Sequence, residues 1–261
     1  MSIDRRSVLR AAMQTAAAGA LTAGCAGSGP HTSSPRSAAP SGAPASRTPA
    51  VSGGGPAPLP AGLPEQITHG PRDRGMVALT FHGQGEPKLA ETLLGEAERA
   101  GARVTVLAVG SWLDSCPQMA RRVLDGGHEL GNHTQNHRGI SAMPADQASA
   151  EITQCADRLR RLTGDIGRWF RPSQTQYATP LVQRLARAAG YRHVLSYDVD
   201  SLDYTDPGAE AVRRTVLDQA RHGSVVSLHF GHAGTVDALP ALLDGLKQRG
   251  LRAVTTSELL T

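Results

Sequence analysis

From about residue 63 onward the chain alternates short apolar runs with longer stretches of helical spacing. Residues 76–82 read as a buried strand, an apolar run with Val77, Leu79 and Phe81 at every second position. Residues 87–100 put Leu89, Leu93, Leu94 and Ala97 on one helical face and stop at Gly101. The same alternation continues. It predicts strands over 103–109, 128–132, 168–170, 193–197, 224–229 and 251–254. It predicts helices over 112–124, 144–162, 180–189, 209–221 and 238–249, the third of these opening on a proline. Strand–helix repetition at this spacing means parallel strands joined by right-handed crossovers. The fold expected is α/β: a distorted or incomplete parallel (β/α) barrel of about seven strands, since a full eight-stranded barrel takes about 250 residues. An open doubly wound sheet is the alternative. No glycine-rich dinucleotide fingerprint follows the first strand, and no phosphate-loop pattern occurs.

The first sixty residues follow another pattern. Asp4-Arg5-Arg6-Ser7-Val8-Leu9-Arg10 precedes an uncharged, alanine-rich stretch to Gly24, the layout of an export signal, and the paired arginines resemble a twin-arginine signal. Leu21-Thr22-Ala23-Gly24-Cys25 resembles a lipobox, with the leucine one position early. Residues 1–25 are expected to direct export, with Cys25 acylated; the competing reading is a buried helix followed by an ordinary cysteine. Residues 26–62 are expected to be a tether: of residues 26–60, all but five are Ala, Gly, Ser, Pro or Thr, too little apolar area to offset ordering entropy. Residues 63–261 form the domain. The expected location is outside the cytoplasm, facing the cell wall, with the membrane touched only through a lipid anchor. The expected state is a monomer.

Charge and cysteine content narrow the picture. The net charge of +4 comes from the first sixty residues, and residues 61–261 hold 22 basic and 22 acidic side chains. A neutral domain lacks the basic surface that nucleic acid requires. Three cysteines make no disulfide scaffold, though Cys116 and Cys155 could pair after export.

Polar residues gather where the expected strands end: His82, then His133 and His137, Arg171, the trio Asp198, Asp200 and Asp203, then His229 and His232. In parallel α/β folds that edge is where sites form. His133 and His137, four apart, would project from one face of a helical turn and could share a metal ion. Seven of the nine aromatic residues lie in the same segments, so one or two could offer a flat face to a sugar ring.

In order, these segments resemble the polysaccharide deacetylases with a NodB-homology domain, carbohydrate esterase family 4, over roughly 180 residues. The stretch from Val77 to Gly83 lies where that family carries Thr-Phe-Asp-Asp-Gly. The stretch from Gly127 to His137 is similar to its second motif. Phe170-Arg171-Pro172 is similar to the third, Tyr197 to Tyr204 to the fourth, and Val226-Ser227-Leu228-His229 to the fifth. The resemblance implies a distorted β/α barrel and a divalent metal, zinc by donor type, on His133 and His137. It implies that Arg171 orients a carboxylate with Asp203 as its charge partner, and that His229 is the general acid. Leu228, Tyr204 and Ser173 would contact substrate, Leu228 in the acetyl pocket. Two departures stand out. Both first-motif carboxylates are gone, with His82 and Gly83 in their places. The turn after Pro172 runs Ser173-Gln174-Thr175-Gln176 instead of a Pro-Tyr-Gly type. His82 could be a third metal ligand, with the base then water-borne or a carboxylate such as Asp198 or Asp200, or it could itself be the base. The implied function is metal-dependent removal of acetyl groups from N-acetylated glycan or peptidoglycan; the alternative is a pseudoenzyme that binds glycan without cleaving it.

Overall fold

The computed structural model describes residues 58–261; the expected export signal, Cys25 and most of the tether lie outside the described residues. The chain runs β1 (Gln66–Ile67), β2 (Met76–Gly83), α1 (Pro87–Arg99), β3 (Thr105–Ala108), α2 (Gly110–Ser115), α3 (Gln118–Asp125), β4 (Glu129–Asn132), α4 (Ala145–Thr163), α5 (Pro180–Ala188), β5 (Val194–Leu195), β6 (Val199–Asp200), α6 (Ala209–Gln219), β7 (Val225–His229), α7 (Ala233–Gln248), β8 (Arg252–Val254) and α8 (Thr256–Leu260).

β2 is the centre of the sheet. β7 pairs with Ala78–His82 along one edge. The other edge is divided, with β8 on Met76–Ala78 and β3 on Thr80–Gly83. The order β6-β7-β2-β3-β4 continues through Phe170, which bridges Asn132 to Val194, and then through β5 to β1. β5 and β6 are successive pieces of one segment, so the chain itself spans the gap where no ladder runs. All the strand pairs are parallel. This is the distorted, incomplete barrel that the alternation predicts.

The two-residue period of each strand sorts its side chains. Met76 and Ala78 of β2 join Ile67, Leu107, Trp169, Leu195, Val225 and Val254 inside the barrel. Val77, Leu79 and Phe81 join Val106, Val226 and Leu228 beneath the helices. Leu59 and Leu63 pack against the inner cluster, which Leu259 and Leu260 of α8 also enter. The amide and hydroxyl of Thr256 both bond the Thr105 hydroxyl, at 2.8 and 2.9 Å, so α8 is pinned to the amino end of the strands. The opposite end, where His82 and His229 lie side by side in register, is the mouth.

Several expected elements change shape. The helix expected over 112–124 is two helices, because Pro117 forces Cys116 out of helical geometry, to φ −141° and ψ 69°. Residues 168–170 form no strand; Phe170 makes only isolated bridges. The segment expected as one strand over 193–197 ends at Leu195 and pairing resumes at β6, while β1 is too short to leave a pattern; the strands among the described residues number eight instead of seven. α7 starts at Ala233, before its internal Pro240. Cys116 and Cys155 are both free and buried. Their thiols donate to the carbonyls of Trp112 at 2.9 Å and Ala108 at 3.4 Å, and burial pushes the Cys155 thiol up to about 12. No described helix is long and apolar enough to cross a membrane.

Two glycines mark tight approaches. A Cβ on Gly131 would lie 2.6 Å from the Trp169 carbonyl oxygen, so only glycine lets β4 lie against the segment that delivers Arg171. A Cβ on Gly83 would lie 2.8 Å from Val106 Cγ1 and 3.1 Å from Ala108 Cα.

Candidate active site

His82 ends the inward row of β2, and His229 ends that of β7. Both reach the mouth, where they meet His133 and His137 from the loop after β4. The His82 ring centroid is 4.1 Å from that of His133 and 4.3 Å from that of His229; His133 and His137 are 4.9 Å apart. His82, His133 and His137 each offer a ring nitrogen within 4.8 Å of the others.

The loop from His133 to His137 is not the helical turn expected of it. Thr134 and His137 take left-handed φ values of 70° and 54°, which an α-helix cannot contain. The cause is local. The Thr134 amide bonds Asn132 Oδ1 at 2.8 Å, and the His137 amide bonds Thr134 Oγ1 at 3.2 Å. The imidazoles converge because the turn folds back on itself. Glu151 of α4 holds it there, with its buried carboxylate accepting from the Asn136 amide at 2.7 Å and from Asn136 Nδ2 at 2.8 Å, while its carbonyl accepts from the Gln135 amide at 2.8 Å. Nothing in the spacing of the sequence marks Glu151. Glu151→Ala is expected to weaken zinc binding about 10–100-fold, as loss of a group that orients a ligand does. Titration of zinc against a competing chelator measures it, and unchanged affinity would remove Glu151 from the site.

His133 is fully buried. Its Nδ1 lies 2.9 Å from the Arg171 carbonyl oxygen, so Nδ1 carries the proton and Nε2 the lone pair. That Nε2 is buried with no hydrogen-bond partner, as is His82 Nδ1. Burial, then the neighbouring imidazoles, hold both rings well below the usual histidine range, so they are neutral at pH 7. Burial also lowers His137. A neutral imidazole with an orphaned lone pair, as on His133, suits a borderline divalent metal such as zinc.

Arg171 is also fully buried. Its Nε donates to the Leu195 carbonyl at 3.1 Å, Nη2 to the Ser196 carbonyl at 3.0 Å, and Nη1 to His82 Nε2 at 3.2 Å; the guanidinium carbon lies 5.3 Å from the Tyr197 ring centroid. Burial pulls the guanidinium down to about 9, which leaves it charged at neutral pH.

Asp203 is not its charge partner, a correction to the sequence reading. Asp203 Oδ1 accepts from His229 Nδ1 at 2.7 Å, and Oδ2 accepts from the His229 amide at 2.8 Å and the Thr235 hydroxyl at 2.7 Å. Burial alone would raise its carboxyl, but the His229 and Thr235 hydrogen bonds outweigh burial and hold it below the ordinary range. The bond to Nδ1 leaves His229 Nε2 as the nitrogen able to exchange a proton.

Three other sequence-derived roles also move. Leu228 faces the helix layer with Phe81, so it cannot line the mouth. Ser227 takes the inward position, two residues before His229, and strict period-two counting finds it. Ser173 is buried, its hydroxyl donating to the Arg138 carbonyl and accepting from Thr134 Oγ1, so it supports the loop and does not face substrate. Asp198 is spent at the other end of β7, on Arg72 at 2.7 Å and the Val225 amide at 2.8 Å, and cannot be a base. Asp200 has an inward register position opposite Ser227. Tyr204 is 49% exposed, with its ring centroid 5.5 Å from that of His229.

Comparison with known proteins accords with this geometry. A family model described as polysaccharide deacetylase matches residues 69–194. A peptidoglycan-N-acetylglucosamine deacetylase of Bacillus cereus is 32% identical over 194 residues, covering 73% of this chain and 90% of that protein. Among solved structures, a carbohydrate esterase family 4 pseudoenzyme from Bacillus anthracis superposes with a TM-score of 0.72 at 22% identity, over 76% of this chain and 70% of that one. A peptidoglycan N-acetylglucosamine deacetylase superposes with a TM-score of 0.70 at 24% identity, over 75% and 92%. The two structures share the fold, and the relative of Bacillus cereus extends the kinship to sequence. With its five motif segments in order on a distorted parallel barrel, the chain belongs to the polysaccharide deacetylase family.

Proposed function

We propose that the protein is a metal-dependent hydrolase that removes acetyl groups from an N-acetylated cell-wall glycan, with peptidoglycan the first candidate. The observation that carries this reading is the buried, unpartnered Nε2 of His133, converging with His137 beside the Asp203–His229 pair. His133 and His137 would hold the metal. When bound, a divalent metal polarises the acyl carbonyl and lowers the pKa of water at the site. The chain's own groups do the rest. Asp203 fixes the tautomer of His229, which leaves Nε2 to protonate the departing amine. Arg171 holds His82. Tyr204 offers an exposed ring face beside His229 for the sugar. Export through residues 1–25 and acylation of Cys25 would station the domain at the cell wall.

The test is direct. Full-length protein reconstituted with zinc is incubated with chitooligosaccharide and with peptidoglycan fragments, and released acetate is measured. Release is expected, and His229→Ala should reduce it at least 100-fold, the lower range for a general acid. No release with zinc, cobalt, nickel or manganese would overturn the hydrolase reading. A second reading rests on the missing carboxylates at positions 82 and 83. In that case the protein binds the same glycans without cleaving them, which calorimetry would detect.

A further inference from the structure

We infer that His82 is neither a metal ligand nor the base: it is a hydrogen-bond donor, set by Arg171, to the acyl oxygen of the substrate. A guanidinium has N–H groups and no lone pair. Arg171 Nη1 lies 3.2 Å from His82 Nε2, so that nitrogen must be the acceptor. A neutral imidazole carries one N–H, which therefore sits on Nδ1. A doubly protonated ring would set a second cation against a buried guanidinium.

The two orphaned nitrogens at the mouth thus ask for opposite things. His133 Nδ1 faces the Arg171 carbonyl at 2.9 Å, which leaves a lone pair on Nε2 in want of a cation. His82 Nδ1 carries a proton in want of an acceptor. The rings are 4.1 Å apart, centroid to centroid. An acyl group with its carbonyl oxygen beside a metal answers both.

Neither other role survives the hydrogen bonds. As a ligand through Nδ1, His82 would need its proton on Nε2, facing the N–H of Arg171 in a buried site where two donors oppose. Arg171 has no slack to retreat, since Nε and Nη2 are bonded to the carbonyls of Leu195 and Ser196. As a base, His82 has no free lone pair: Nε2 is taken by Arg171, and Nδ1 already holds its proton. Arg171 is then a positioning residue that selects the tautomer.

The acyl-oxygen acceptor rests on the proposed hydrolase; the tautomer does not. The experiment separates the two. In full-length protein labelled with 15N-histidine, two-bond 1H–15N spectra report the protonation of each ring nitrogen, with His82 assigned by loss of its signals in His82→Gln. For His82 a protonated Nδ1 and an unprotonated Nε2 are expected, both before and after addition of zinc, while the His133 and His137 signals move. Acetate added to the zinc form should then shift the His82 Nδ1 proton downfield as it gains an acceptor. His82→Gln should leave zinc affinity within about threefold and lower kcat about 100–1,000-fold, the loss expected for one oxyanion donor. A metal-type shift at either His82 nitrogen, a proton on Nε2, or an Nδ1 proton indifferent to acetate overturns the inference. Absence of acetate release alone fails the hydrolase reading and leaves these spectra to decide the donor.

Discussion

His82→Asp is expected to outpace His82→Asn in acetate release by about 100-fold or more, the contribution of a general base. Either side chain can accept from Arg171 Nη1, so the comparison isolates the ability to take a proton. An aspartate there would face a fully buried guanidinium whose side-chain hydrogen bonds in the native chain go to two carbonyl oxygens and a ring nitrogen, beside an aromatic face. The charge-assisted bond would orient the carboxylate and keep it ionised. Against the native protein little or no net gain is expected, because the Nδ1 donor is lost and the two effects, each about 100-fold or more, are of similar size and roughly cancel. The measurement is kcat on a soluble N-acetylated oligosaccharide at fixed zinc. Equal rates for the two variants would mean that the water is activated from elsewhere, with Asp200, at an inward register position, the candidate.

His133→Ala is expected to empty the metal site. The imidazole is fully buried and its free nitrogen is a lone pair with no other use. Removing a ligand costs more than the 10–100-fold lost with a group that merely orients one. Zinc content, expected at about one ion per chain in the native protein, should fall to background after dialysis. Thermal unfolding offers an independent readout. At zinc one hundred times Kd the native chain gains about 2.7 kcal/mol, so its midpoint rises relative to chelator. The variant should show no such rise. If His133→Ala lowers the midpoint in chelator but keeps the zinc-dependent rise, His133 is a packing residue and the metal reading fails at its root.

Much of this was legible from the chain because a barrel strand converts parity into direction. Residues 78, 80 and 82 share one face of β2, and 225, 227 and 229 share one face of β7, so the inward rows follow once the strands are located. The same rule turns Leu228 outward, against the role that the family resemblance implies for it. Other features depend on contacts that spacing does not encode. The His133–His137 turn looks helical by interval, but Asn132 and Thr134 side chains capture its amides first. The family resemblance implies Asp203 as the charge partner of Arg171, whereas a 3-10 turn over Asp203–Thr205 delivers it to His229. The 112–124 helix breaks where Pro117 denies the preceding residue helical geometry, a signal that was present in the sequence and outweighed by the apolar pattern.

Gly83 limits which side chains the mouth can accept. Position 82 can exchange imidazole for carboxylate within its present surroundings, but any side chain at 83 collides with a branched valine and the backbone of the adjoining strand. The two positions are therefore not equally open to an acid. One is a single substitution away. The other also requires Val106 and the adjoining strand to give way, so a carboxylate at 83 asks for an accommodating change that a carboxylate at 82 does not.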